Sequence, residues 1–167
     1  KVAPELDVFW RDYAERNQLF VNNGGGKFID VSSANPDFSG IAGVSRGLAC
    51  ADFDSDGGMD ALVTQVGGPA KLFRNVATQR GHWLLVRATD PDQHRDAYGA
   101  EIRIQAGSKK WMRWINPAYS YLCSNDPRAH FGLGDISEYD SLTVIWPDGT
   151  EELFSGGQTN RVVEIVK

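Results

Sequence analysis

The sequence predicts an all-β fold, because short strand-like segments separated by turn residues account for nearly all of the chain after its first residues. Runs rich in β-branched and aromatic residues alternate with Gly, Pro, Asn and Asp about every ten residues, as in β-sandwiches and related folds. Helical periodicity occurs in one segment, at the N-terminus. The expected strands lie at about residues 47–53, 60–66, 71–75, 82–89, 99–106 and 110–115, followed by SLTVIW, TEELF and RVVEIV.

The N-terminal segment, residues 4–13, is predicted to form one short helix. Leu6, Phe9, Trp10 and Tyr13 fall at positions i, i+3, i+4 and i+7, which share one face of an α-helix. Proline at position 4 suits the first turn, and the acidic residues that follow it suit the positive end of the helix dipole.

The next segments indicate a hairpin and a repeat. QLFVN and KFIDV flank the loop NNGGG, whose residues tolerate the positive φ angles of tight turns. The sequence LFVN at 19–22 returns as LFRN at 72–75, about 50 residues later, which is close to the length of one propeller blade with a long loop. The pattern then stops at a polar connection, residues 78–81. We therefore expect a propeller-blade segment at residues 1–78 and a second β domain at 79–167.

Charge and hydropathy exclude two classes of function. The net charge is −5 and the isoelectric point is about 5.1, so no excess of basic residues invites nucleic acid or anionic lipid. No apolar run approaches the roughly 18 residues that a membrane helix needs. Neither nucleic-acid binding nor membrane insertion is expected.

The stretch DFDSDGGMD, residues 52–60, is the strongest signal of a binding site. Carboxylates at alternate positions can converge on one cation, and a glycine turn lets a later backbone carbonyl join them. Hard oxygen ligands in this number favour Ca²⁺. An EF-hand is excluded, because the twelfth position holds Val63 instead of a bidentate glutamate and strands flank the loop. The alternative is an exposed acidic turn without metal, in which the carboxylates would repel one another. The predicted ligands are Asp52, Asp54, Asp56, the carbonyl of Gly58, and Asp60.

The two cysteines, Cys50 and Cys123, leave two alternatives open. Their spacing matches no zinc motif. They are either buried free thiols or a disulfide that joins the two halves of the chain, which would require an oxidising compartment.

An aromatic segment near residue 112 is a candidate ligand or partner surface. In a strand, Trp111 and Arg113 share one face and Trp114 lies on the other. One face must be the core, so one tryptophan is expected to be buried. The other, with Tyr119 nearby, either packs at the edge of the sheet or is a candidate for stacking on sugar rings or anchoring a protein partner.

No catalytic constellation is visible. The chain lacks the nucleophile elbow G-x-S-x-G, and GGGK at 24–27 lacks the spacing and the Ser/Thr of a phosphate loop. His130 sits in a strand-like segment and is interpreted as a structural histidine. We expect no enzyme activity.

These motifs carry a resemblance that covers about residues 17–167. DxDxDGxxD between two strands, with NQLFVNNGGGKFIDVS upstream, resembles the calcium loop of FG-GAP/VCBS repeats, which form propeller blades. The second half is similar to the ASPIC/UnbV domain, which follows such repeats in cartilage acidic protein-like and bacterial extracellular proteins. Its motifs occur here in the same order: HWL at 82–84, YGA at 98–100, SYL at 120–122, HFGLG at 130–134 and WPDG at 146–149.

The resemblance implies a fold, a cofactor and a function. The fold would be one or more partial propeller blades with a calcium hairpin loop, then a β-sandwich. The five predicted ligands would hold structural Ca²⁺, and the chain would be a non-catalytic, secreted module for adhesion or assembly, with carbohydrate binding through Trp111 and Trp114 as the alternative. One blade cannot close a propeller. Other subunits, or missing blades of a longer precursor, are therefore expected as partners in an oligomer or assembly.

The chain departs from the family pattern at two places. Cys50 and Cys123 stand where small residues are usual, which favours the disulfide alternative slightly. Trp111 and Trp114 replace the polar residues that are usual in that strand, which is the candidate ligand or partner surface.

Overall fold

The computed structural model describes residues 6–120 and 122–167, and it confirms the all-β class. The chain forms two compact units, and each unit is built from two segments that are separate in the sequence. The N-terminal unit contains the described residues before Cys50 together with Ala61–Arg74, and the C-terminal unit contains Cys50–Asp60 and the described part of Asn75–Lys167. The expected boundary near residue 78 stays a prediction. Within the described ranges no helix has the length and apolar character needed to cross a membrane.

The short N-terminal helix is confirmed, but it is a 3₁₀ helix, Val8–Tyr13. The Asp7 carboxylate caps it by accepting from the Phe9 N–H at 2.8 Å. Because a 3₁₀ helix has three residues per turn, the predicted α-helical face does not form. Leu6 and Trp10 pack in a small cluster with Val44, whereas Phe9 and Tyr13 are exposed. The proline and glutamate assigned to the helix start lie outside the described residues.

The remaining N-terminal elements are short. The predicted hairpin is confirmed as β1, Phe20–Asn22, paired antiparallel with β2, Phe28–Asp30. A second 3₁₀ helix, Ser32–Ala34, and the single turn α1, Pro36–Ser39, were not predicted. A three-stranded sheet follows, in the order β3-β4-β5, with the bounds Ser45–Ala51, Asp60–Gln65 and Lys71–Phe73.

The C-terminal unit contains a pair of four-stranded sheets. One has the order β10-β6-β13, with β7 also paired to β6, and the other has the order β12-β11-β8-β9. Strands β13 and β6 run parallel, and the other pairings described in these sheets are antiparallel. The bounds in the first sheet are His82–Asp90 (β6), Arg95–Asp96 (β7), Ala129–Gly134 (β10) and Arg161–Val166 (β13). Those in the second are Glu101–Ala106 (β8), Lys109–Trp114 (β9), Glu138–Ile145 (β11) and Glu151–Gln158 (β12).

The core of this unit comes from side chains at alternate positions of both sheets, as in a β-sandwich. Phe131 and Trp146 are its largest fully buried members. Strand β6 contributes Leu84, Val86 and Ala88, and the second sheet contributes Ile102, Ile104, Leu142 and Val144.

Cys50 and Cys123 are half-buried and are not joined by a disulfide in the structure. Burial raises the pKa of the Cys50 thiol, because desolvation disfavours the thiolate. The disulfide alternative that the sequence left open is therefore not the state of this structure.

Candidate metal centre

The acidic loop connects the end of β3 to the start of β4. Asp52 follows β3 directly and Asp60 is the first residue of β4. Ser55 and Gly57 both have positive φ, 58° and 89°, and turn the chain back on itself. Asp52 is 1% exposed and Asp60 3%, so both carboxylates are removed from solvent.

Three of the predicted side-chain ligands converge. Each of Asp52, Asp54 and Asp60 offers an oxygen, and these oxygens lie within 4.8 Å of one another. Two oxygens bound to one calcium ion at 2.3–2.6 Å can be no more than about 5 Å apart, so this spacing fits a shared Ca²⁺. The all-oxygen, carboxylate-rich donor set also suits Ca²⁺ better than zinc or copper.

Backbone N–H groups orient the two buried carboxylates. Asp52 accepts from the amides of Asp56 at 3.1 Å and Gly57 at 2.9 Å, one on each oxygen. Asp60 accepts from the amides of Phe53 at 3.1 Å and Asn75 at 2.7 Å, also one on each oxygen. Each carboxylate oxygen has a second lone-pair direction, so these contacts are compatible with metal binding.

The structure places Asp56 differently from the three converging aspartates. Its carboxylate pairs with the guanidinium of Arg80 and accepts from the Gly58 amide at 2.9 Å. Asp56 does not belong to the described group of converging acids. The roles of Asp56 and of the Gly58 carbonyl as ligands stay predictions.

Two arginines offset part of the charge of the loop. The hydrogen bond to Asp56 raises the pKa of Arg80, and the other loop aspartates add to the effect. Arg128 donates to the Asp52 carbonyl at 3.5 Å and pairs with Asp126, which raises the pKa of Arg128. Sequence reasoning missed both arginines, because they lie far along the chain from the loop.

Trp83 and His130 contact the loop at Gly57, and neither was predicted to do so. The His130 Nε2 lies 3.0 Å from the Gly57 carbonyl oxygen. A Cβ on Gly57 would lie 2.1 Å from Cδ1 of Trp83, so the indole occupies the space that a side chain would need. Both residues belong to motifs that carry the resemblance, HWL and HFGLG, but nothing in their spacing connects them to the aspartates.

The aromatic segment of β9 is divided between two faces. Trp111 is half-buried and packs against the core, and the Arg113 guanidinium lies 5.9 Å from the centre of the Phe131 ring. Trp114 is 56% exposed, and its Nε1 donates to Glu101 at 3.1 Å. Tyr119 is also exposed. The role of this surface stays a prediction.

Comparison with known proteins gives two family matches and several relatives. An FG-GAP-like repeat matches residues 5–63, and an ASPIC and UnbV domain matches residues 90–167. Cartilage acidic protein 1 of Xenopus tropicalis is 32% identical over 176 residues, covering 96% of this chain and 26% of that protein. The Homo sapiens and Mus musculus proteins of the same name are 30% identical over 97% of this chain, which covers 26% and 27% of their lengths. The chain thus spans about a quarter of the length of these relatives.

Proposed function

We propose that this chain is a non-catalytic, calcium-stabilised extracellular module for adhesion or assembly. The chain carries an FG-GAP-like repeat followed by an ASPIC/UnbV domain, and most of the chain is homologous to a part of cartilage acidic protein 1. The observation that carries the proposal is the convergence of Asp52, Asp54 and Asp60.

Electrostatics supports a cation at this loop. Two unit negative charges 4.8 Å apart repel by about 1 kcal/mol in water and about 3 kcal/mol at an effective dielectric constant of 20. A bound Ca²⁺ would turn this repulsion into attraction and hold the loop in one conformation. Sites of this kind in extracellular modules bind with a Kd of about 0.1–1 mM, which matches the calcium available outside cells.

The state of the candidate catalytic groups supports a non-catalytic role. Asp52 and Asp60 accept backbone amides, Asp56 pairs with Arg80, and in this proposal the converging aspartates bind the cation. The His130 Nε2 faces the Gly57 backbone carbonyl.

The exposed apolar residues of the N-terminal unit support a role in assembly. All six residues of the β1–β2 hairpin are exposed, and they include Phe20, Val21, Phe28 and Ile29. An isolated two-stranded hairpin is marginally stable in water and needs further strands or a packing partner. We propose that other subunits, or further blades of a longer chain, cover these residues.

Calcium uptake by the purified chain tests the proposal. We expect equilibrium dialysis of metal-free protein to show one Ca²⁺ per chain with a Kd of about 0.1–1 mM, and weaker binding of Mg²⁺, which demands near-ideal octahedral geometry. Asp54→Asn removes a ligand at an exposed position and should abolish uptake. Asp37→Asn, which changes another exposed acid, on α1, is the matched control. Wild-type protein that takes up no calcium at millimolar concentration would contradict the proposal.

Carbohydrate binding is the second candidate, and the exposure of Trp114 is what supports it. An exposed indole beside Glu101 and Arg103 offers a stacking face with hydrogen-bonding groups next to it. We expect Trp114→Ala to abolish any glycan binding detected on an array, and Met112→Ala, on the same face of β9, to preserve it. Undiminished binding by the Trp114→Ala variant would remove this candidate.

A further inference from the structure

The aspartate loop, residues 52–60, is assigned by sequence to the FG-GAP-like repeat but by its contacts to the C-terminal unit. The repeat match runs through residue 63, whereas the contacts group residues 50–60 with the sandwich. Hydrogen bonds hold both ends of the loop. The Cys50 amide donates to Asn125 Oδ1 at 2.7 Å, and the Cys50 carbonyl accepts from the Asp126 amide at 3.1 Å. At the other end, Asp60 accepts from the Asn75 amide at 2.7 Å.

The middle of the loop meets two side chains on the outward face of the sheet that contains β6 and β10. Trp83 lies opposite Gly132, and His130 lies opposite Leu85. Alternation along β6 puts Trp83 and Leu85 on the face away from the core residues Leu84 and Val86. This face would be expected to contact water, yet Leu85 is only 1% exposed, and Trp83 and His130 are half-buried.

A short chain of contacts connects this face to a predicted metal ligand. The Gly57 carbonyl faces His130, and the Gly57 amide donates to the Asp52 carboxylate at 2.9 Å. The Trp83 indole fills the space beside the Gly57 Cα, and its own backbone is held by hydrogen bonds to Asn160. Displacement of Gly57 would therefore move the group that orients Asp52.

We propose that Trp83 and His130 are positioning residues for the cation site, so that cation binding at the loop stabilises the ASPIC/UnbV sandwich. The proposal rests on the proposed function, because it requires that the loop bind Ca²⁺. Outer-shell partners of metal ligands fix the orientation of a ligand without touching the metal. Trp83 and His130 would do the same for Asp52, through Gly57.

The first test compares two glycine substitutions in the full chain. Gly57→Ala introduces a Cβ that collides with Trp83, at a φ of 89°. Gly99→Ala introduces one at a nearly identical φ of 91°, with no atom of the described chain within 4 Å. Both variants carry the same kind of backbone strain, but only the first disturbs the loop. We expect Gly57→Ala to weaken calcium binding roughly 10-fold or more, the effect of losing an outer-shell partner, and Gly99→Ala to leave the Kd for calcium unchanged.

The second test uses His130 and remains informative if Gly57→Ala does not fold. We expect His130→Leu to weaken calcium binding, by less than the roughly 10-fold effect of losing a group bonded directly to a ligand, because His130 acts on Asp52 through Gly57. His130→Gln, whose amide can donate to the Gly57 carbonyl, should restore part of the binding. A purely structural role would lower the melting temperature in EDTA and leave the Kd for calcium unchanged.

The outcomes separate the two proposals. If wild-type protein binds calcium and both Gly57→Ala and His130→Leu bind it equally well, the positioning role is overturned and the proposed function stands. If wild-type protein binds no calcium, both proposals are overturned.

Discussion

Buried carboxylates define the loop at the scale of single residues. Asp52 and Asp60 each accept two backbone N–H groups, which compensate part of the cost of removing a charge from water. Asp54 adds a third negative charge nearby at an exposed position. The loop thus gathers negative charges that Arg80 and Arg128 neutralise only in part.

Removal of one of these charges should have different effects with and without calcium. In EDTA, we expect Asp54→Asn to change the stability little, because the relief of repulsion between carboxylates, on the order of 1 kcal/mol, is offset by the loss of attraction to Arg80. In calcium, the variant should be less stable than wild type, because it lacks a ligand. Chemical denaturation under both conditions checks this, and an equal loss of stability in EDTA and in calcium would contradict it.

Glu101 provides a prediction about pH. Hydrogen bonds from the Trp114 indole and from Arg103 hold the pKa of the Glu101 carboxyl below its ordinary value. Because the folded-state pKa is lowered, the stabilisation is present above the unfolded-state pKa and is lost as pH falls through the folded-state pKa. We expect Trp114→Phe to raise the Glu101 pKa, measured by NMR titration of its side-chain carbonyl. Arg103→Lys should have a smaller effect, and an unchanged titration in Trp114→Phe would contradict the assignment.

The aspartates could be predicted from sequence because the spacing of the motif is local. Trp83, His130 and Arg80 could not, because they reach the loop only through the pairing of strands far apart in the chain. The register that puts Trp83 opposite Gly132 is a tertiary property that no local pattern specifies.

The positions of the sandwich strands were predicted well because one face of each sheet is buried, which requires apolar residues at alternate positions that can be read from the sequence. β6 and β8 lie within a few residues of the expected segments. The N-terminal helix shows the limit of this reasoning. Its α-helical spacing was present, but the short segment forms 3₁₀ turns because Leu6 and Trp10, and not the whole predicted face, find packing partners.

The pairing of β11 with β12 makes a prediction at the scale of elements. A Cβ on Gly156 would lie 1.9 Å from the Tyr139 carbonyl oxygen, which is backbone and has little freedom to move. We expect Gly156→Ala to lower the free energy of unfolding by about 1–3 kcal/mol, as for other overpacked sites. Gly132→Ala, in β10, meets no atom of the described residues within 4 Å and should be neutral or slightly stabilising. Equal effects of the two substitutions in urea denaturation would contradict the argument.

The chain as a whole divides into units that cross its sequence order. Matching to families assigns the loop to the repeat, whereas packing assigns it to the sandwich. A domain boundary drawn from composition could not reveal this division. The chain leaves the N-terminal unit after β3, contributes the loop to the C-terminal unit, and returns to the N-terminal unit in β4.

Exposure of the hairpin predicts self-association. We expect the mass measured by light scattering to rise with protein concentration, because burial of apolar surface favours assembly. Phe28, 67% exposed, is the residue to change, and Phe28→Ser should reduce association. Leu153→Ser is the matched control, since Leu153 is 74% exposed on the sandwich. A wild-type chain that stays monomeric at high concentration would contradict self-association through the hairpin.

The melting temperature of the full chain in EDTA and in 1 mM calcium is the most direct test of the account. A site with a Kd of about 0.1 mM contributes roughly 1.4 kcal/mol at about 1 mM calcium, which corresponds to an increase of about 3–6 °C for a protein of this size. The account predicts this increase for wild type and for Asp37→Asn, and its absence for Asp54→Asn. An identical melting temperature in both conditions, for protein shown to be metal-free in EDTA, would contradict it.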